Sequence, residues 1–419
     1  MFSIVLIVGL AGAIIVASTV SQRPNVDPRV TALLLGNYVL RLALAPWTKD
    51  INAFTSAPTD FYGYEWSAGI IARLWRYGSI HYVGGDEIPS LENTSLPSNI
   101  FACVVYLNGG PTHIGCTAVV AATACFVCLN FYLLALLLGA QPKVAFWTAA
   151  LVGILPNFLF YTCSTFKDGF VAFFVMGLFG CAVRLARRIS IAQLGLGVLF
   201  LAGLWLTRFY LVFVIPVPFL LGFLGLRSRS VLRTALATLA IGATLIALYA
   251  HSMAPEVAVG HARTTFEDAT SDNVLGANAV GGSGVTFDGT SPKAAFLPKL
   301  AYTLFSPFPW QPGSLALQIG KLEAFVWYYY FYRALRAAKA MWRDRRADLL
   351  MFASLIVPLT VAYALSFSNI GLIVRQRMGI MIAVMLMASL SWGRGQEEEE
   401  RDETEEVGAH RTFRARRVA

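Results

Sequence analysis

Long apolar stretches separated by short polar turns run from the first residues of the chain to Trp392. A helix needs about 20 apolar residues to cross roughly 30 Å of hydrocarbon. By that measure eleven runs read as spans: 3–21, 30–46, 114–139, 144–163, 169–186, 190–206, 209–226, 234–251, 319–335, 349–367 and 377–393. The pattern predicts an all-α, polytopic membrane protein. Two runs fit least well, since 30–46 contains Arg41 and 319–335 begins among Lys321 and Glu323. The first run, within residues 1–29, reads as an uncleaved anchor. It lacks a basic lead-in and a clear small-residue cleavage site, a signal peptide being the alternative.

Two longer polar intervals interrupt the pattern. Within 47–113, the segment PTDFYGYEWSAGIIARLWRYG (58–78) lets Phe61, Trp66, Ile70, Ile71 and Leu74 share one helical face. That spacing predicts an amphipathic helix lying on the membrane. Within 252–318, the stretch 268–292 is rich in Gly, Ser, Asp and Asn and is expected to be mobile. The following AAFLPKLAYTLFSPFPWQPG (294–313) is apolar and expected to pack back onto the bilayer surface. Past Trp392, an acidic block and then RTFRARR form a disordered tail, 394–419. The tail either only solubilises the C-terminus or meets a cytoplasmic or polysaccharide-assembly partner.

Composition and charge sharpen this reading. With 57% hydrophobic and 14% charged residues, an ordinary soluble domain is excluded. Arg184, Arg187 and Arg188, then Arg227, Arg229 and Arg233, then Arg333 to Arg346 fall in alternate turns, which marks that side as cytoplasmic. The N-terminus and both long intervals then lie outside, and the C-terminus inside. Most of the net charge of +9 belongs to this collar, so it speaks for topology and not for nucleic acid. Cys103 and Cys116 either pair in an oxidising periplasm or stay as buried thiols. No Cys or His spacing suits a metal, and no cofactor motif is present.

Four cations break the charge rule: Lys167, Arg208, Arg375 and Arg377 lie in tight turns on the outer side. One alone could snorkel to headgroups, but four on one face call for an anionic partner, and a lipid phosphate is the obvious one. Arginine suits it because its planar fork donates two parallel hydrogen bonds. Lys167 and Asp168, in PNFLFYTCSTFKDGF (156–170), are either a local ion pair or part of that site. In the second case Lys167 neutralises the phosphate while Asp168 orients it or binds a sugar hydroxyl. Asp60 and Glu65 are carboxylates close behind a span, where a general base for an acceptor hydroxyl would stand. Asp60 could equally cap the helix 61–76. His81, His113, His251 and His261 lack metalloprotease spacing, and nucleophile-elbow, phosphate-loop and dinucleotide motifs are missing, so membrane proteolysis has no support.

Together these pieces resemble the GT-C superfamily of polyprenyl-phosphate-dependent glycosyltransferases, especially bacterial members tied to surface polysaccharide. The resemblance rests on Asp60 with Tyr62 and Tyr64, PNFLFYTCSTFKDG, Arg208-Phe209-Tyr210 and SPFPW (306–310), within a catalytic unit over 30–393. It implies inverting sugar transfer from a lipid-linked sugar donor to a glycan or lipid acceptor, at the periplasmic face of a bacterial inner membrane. Asp60 would be the base with Glu65 as the other acid. Lys167, Asp168, Arg208, Tyr210, Arg375 and Arg377 would bind substrate. The chain departs from the pattern in having Phe61 after Asp60 where many members have a second acid. It also departs in lacking a soluble C-terminal domain and in carrying an extra N-terminal span. Two other classes fit parts of the pattern. A polysaccharide polymerase or ligase would grip a lipid diphosphate with the same arginines and no first-loop carboxylate. A non-enzymatic transport or assembly component would place polar groups mid-membrane, where this chain has little besides Arg41.

Overall fold

Proline and glycine set several of the helix limits. Proline lacks the N–H that a first helical turn leaves unused, and glycine accepts the left-handed conformation that closes a helix. In the computed structural model, which describes residues 2–22, 26–48, 60–91, 94–208, 211–212, 215–223, 292–311, 315–366 and 370–392, all regular structure is helical. The helices are α1 (Phe2–Ser21), α2 (Pro28–Thr48), α3 (Asp60–Tyr77), α4 (Leu96–Asn108) and α5 (His113–Leu138). Next come α6 (Pro142–Ile154), α7 (Pro156–Thr162), α8 (Asp168–Arg187), α9 (Ile191–Arg208) and α10 (Pro216–Phe223). The last are α11 (Pro292–Phe305), α12 (Leu315–Asp344), α13 (Arg346–Ser366), α14 (Ile370–Gln376) and α15 (Met378–Ser389). Gly109 and Gly139, at φ 79° and 94°, close α4 and α5. Thr112 opens α5 by accepting from the Gly115 N–H at 3.1 Å.

Among the described residues six helices are long and apolar enough to cross a membrane: Ser3–Ser21, Pro28–Thr48, His113–Leu138, Asp168–Arg187, Ile191–Arg208 and Arg346–Ala364. A seventh appears if α6 and α7, bent by 58°, count as one span. Among the described residues the expected eleven spans are not confirmed, and three of the runs fall short for local reasons. Run 144–163 breaks because Leu155, ahead of Pro156, is held at φ −53° and ψ 128°, outside the helical region. Run 319–335 lies inside α12, where Lys321, Glu323 and a row of tyrosines dilute the apolar character. Run 377–393 yields only the 12 residues of α15. Run 209–226 is described only in part, and 234–251, most of the stretch 268–292 and the tail 394–419 lie outside the described residues.

The helix over 61–76 is present as α3, but its apolar residues divide between two faces. Ala68, Ile71, Ala72 and Trp75 are buried against α4, while Trp66 and Leu74 are exposed. Small alanines beside Ile71 let α4 approach, which leaves the bulkier Trp66 on the outer side. The segment after 292 forms α11, which packs on α13. All six cysteines are free thiols, Cys103 exposed and Cys116 buried.

α5 and α8 form the centre of the bundle, each 72% buried over its apolar window, while α1, at 11%, rims it. Their contact is close where Gly169 of α8 meets α5; a Cβ there would stand 2.8 Å from Val120 Cγ1. Both helices run from one end of the bundle to the other. At the far end Arg345 donates to the Leu138 carbonyl at 2.6 Å, and Asp348 lies among Arg187 and Arg345. Arg187 and Arg345 of the arginine collar therefore lie at the end opposite to His113 and Asp168.

Candidate functional site

The five residues after α7, CSTFK (163–167), lead straight into α8 and carry polar groups into the interior. Asp168 is the first residue of α8, where the helix N-terminus favours an anion. Its carboxylate is clamped from two sides. Arg208 Nη2, at the last residue of α9, lies 2.8 Å from Oδ1, and Arg375 Nε, on α14, lies 2.7 Å from Oδ2. The three side chains are 3%, 5% and 9% exposed, so water does not screen them. Lys167 adds a third cation next to the one carboxylate, leaving an excess of two positive charges before Glu65 is counted.

Arg375 and Lys167 are held by more than charge. Arg375 stacks against Tyr161 and Phe166, its guanidinium 5.1 and 5.2 Å from the ring centres. Lys167 Nζ donates to Thr94 Oγ1 at 2.9 Å and lies 5.9 Å from the Tyr64 ring centre. Thr94 in turn donates to the Thr207 carbonyl at 3.4 Å, and the Ser95 N–H to Leu206 at 3.1 Å, which ties this loop to the end of α9.

Glu65 reaches the same region from α3. Its Oε1 accepts from Thr165 Oγ1 at 2.7 Å and meets His113 Nδ1. His113 Nε2 lies 3.2 Å from the Ala45 carbonyl. A carbonyl can only accept, so Nε2 donates to it and Nδ1 is the nitrogen turned to Glu65. Outside the spans, His81 sits between the Glu87 carboxylate, 3.1 Å from Nε2, and the Ser79 carbonyl. The Glu87 hydrogen bond raises the His81 pKa above its ordinary value. Nearby, Tyr82 bonds Ser95, and burial pushes its hydroxyl pKa up.

The remaining sequence candidates lie elsewhere or outside the described groups. Asp60 begins α3, but its side chain is outside the described residues, and so is Tyr210 altogether. Arg377, only 2% exposed, turns away from Asp168. Its Nη1 donates to the carbonyls of Leu304 at 3.0 Å and Ser306 at 2.7 Å, with the Trp327 ring centre 5.2 Å away. It caps the C-terminal end of α11, where a cation complements the helix dipole. Lys167, Asp168, Arg208 and Arg375 thus meet, and Arg377 does not join them. Among the described residues no group of three or more His, Cys, Asp and Glu is placed to hold a metal ion.

No protein-family model matches the chain, and no curated protein matches it. Among solved structures it is similar to the archaeal oligosaccharyltransferase AglB from Archaeoglobus fulgidus, in complex with an inhibitory peptide and a dolichol-phosphate. The identity is 12% and the TM-score 0.46, over 86% of this chain and 50% of that one. The chain spans about half the length of that protein.

Chemically, the arrangement can receive an anion beside the Asp168 clamp and take a proton at the Glu65–His113 pair. Thr94, Thr165 and His113 hold places in this cluster that sequence reasoning did not assign. His113 carried one usable signal, a polar residue opening a long apolar run. The two threonines carried none, since their role depends on which segments meet.

Proposed function

We propose that this chain is an integral membrane glycosyltransferase that moves a sugar from a polyprenyl-phosphate donor to a glycan or lipid acceptor. The observation that carries this reading is the cluster of Lys167, Arg208 and Arg375 around Asp168, with Glu65 docked on the same 163–167 segment. In the reaction, the acceptor oxygen attacks the anomeric carbon as its bond to the donor phosphate oxygen breaks. Negative charge then grows on the leaving phosphate, where three fixed cations stabilise it without having to rearrange. Glu65 takes the acceptor proton, and His113 stands behind it to share that proton. Attack from the face opposite the phosphate gives inversion. Asp168 keeps the two arginines apart and aimed.

Two features support a site on the outer, periplasmic face of a bacterial inner membrane. The site lies at the bundle end opposite Arg187 and Arg345, and lysine and arginine in short loops favour the cytoplasm. The motif resemblance supports the catalytic unit over 30–393. Of the two acids, Glu65 is the one whose hydrogen bonds favour the role of base; Asp60 stands at the start of the same helix as the second candidate. A polymerase or ligase, which needs no first-loop carboxylate, is the reading to fall back on if both acids prove dispensable.

The test uses purified protein in nanodiscs with a panel of radiolabelled polyprenyl-phosphate sugars. Glu65→Gln should lower turnover by about 10²–10⁴-fold with donor binding retained, the usual contribution of a general base. Asp60→Asn should leave most of the turnover. Full activity in Glu65→Gln with loss in Asp60→Asn would move the base to Asp60.

A further inference from the structure

In a continuous helix the Asn157 N–H would donate to the Gly153 carbonyl, four residues earlier. Pro156 and the extended Leu155 abolish that bond at the α6–α7 break. Both backbone groups then face a low-dielectric interior, where an unmet donor or acceptor is costly. Two charged side chains from distant parts of the chain take them up. Glu323 Oε2 of α12 accepts from the Asn157 N–H at 2.7 Å, and Arg41 Nη2 of α2 donates to the Gly153 carbonyl at 2.8 Å. Each charge has the sign its helix end prefers: a cation at the C-terminal end of α6, an anion at the N-terminal end of α7.

Arg41 does more than cap. It is fully buried, and its Nε donates to Thr162 Oγ1 at 2.8 Å, on the last residue of α7. One guanidinium therefore bridges the chain before and after the break, while Asn37 Oδ1 accepts from its Nη1 at 3.1 Å and the Phe158 ring centre lies 5.3 Å away. Directly after Thr162 comes the segment carrying Thr165, Lys167 and Asp168.

We propose that Arg41 and Glu323 are positioning residues: by taking the two ends of one missing helix hydrogen bond, they fix the bend that delivers residues 163–168 to the site. Neither touches the site groups, so both act through α7. This inference rests on the site described under Proposed function, and the experiment separates the two.

In a Cys103→Ser background, Glu65→Cys and Thr165→Cys report whether the delivered segment stays docked on α3, read as the rate of cross-linking by a short thiol-reactive linker. Adding Arg41→Met or Glu323→Gln should slow cross-linking about tenfold, the scale of coupling through an intervening element. Separately, in the otherwise unaltered protein, the same two changes should weaken binding of a short-chain polyprenyl phosphate by a similar factor. Arg41→Lys keeps the charge but reaches fewer partners, so it should fall between; it also serves if Arg41→Met does not fold. Unchanged cross-linking in folded Arg41→Lys and Glu323→Gln overturns the positioning role. If cross-linking falls but neither the parent protein nor Arg208→Ala binds the polyprenyl phosphate, the positioning role stands and the proposed function fails.

Discussion

Asp168 is the residue whose loss should cost most. Three cations lie around it, and two of them are within 2.8 Å in a site nearly closed to water. Removing one member of a buried ion pair leaves the other uncompensated, a penalty of about 3–5 kcal/mol. Asp168→Asn is therefore expected to lower unfolding stability in detergent by that order, whereas Asp168→Asn with Arg208→Met should recover part of it. Equal stability of the single variant and the parent would mean that water reaches the clamp. His81 tests the electrostatics of the neighbouring loop. Its raised pKa comes first from the Glu87 hydrogen bond, and a raised histidine value means that the folded state holds the proton more tightly. The pair then contributes fully below about pH 6.5, the ordinary value, and its contribution fades as the pH rises through the raised one. An NMR titration of the His81 ring should give a midpoint above the ordinary value, and Glu87→Gln should bring it down.

At the scale of elements, close approach decides where side chains can grow. A Cβ on Gly153 would stand 2.6 Å from Asn37 Oδ1, which accepts from Arg41. Gly153→Ala should thus displace Asn37 and destabilise the protein by about 1–3 kcal/mol, the usual cost of overpacking, measurable as a lower unfolding midpoint. No change would show that α2 and α6 can separate freely. The same helices show how much could be read beforehand. Apolar runs located most of the helices, because spanning hydrocarbon leaves a length signature in the sequence. Pro156 marked the break as clearly, yet an apolar count treats 144–163 as one span. The reversed charge bias pointed to Lys167, Arg208 and Arg375, which do meet. It pointed equally to Arg377, whose partners are backbone carbonyls and leave no trace in residue types. Arg41 looked like an anomaly in its run, because its acceptor exists only once α6 is broken and packed on α2.

For the whole molecule, the proposed orientation rests on the separation of Arg187 and Arg345 from the site. Tyr77, 93% exposed at the end of α3, and Ile191, 88% exposed at the start of α9, belong to opposite ends. In sealed cells, an impermeant thiol reagent added outside should modify Tyr77→Cys and leave Ile191→Cys unmodified; the reverse labelling would turn the site toward the cytoplasm. The site also has a history in time. Asp168 and Arg375 are separated by 207 residues, and chains grow at about 5–20 residues per second. For roughly 8–33 s of that interval the carboxylate has Arg208 as its partner but not Arg375. The nascent chain must therefore tolerate a half-built ion cluster at the edge of the bilayer until α14 is made, so a ribosome stalled before Arg375 should leave a fragment that cellular proteases recognise and remove.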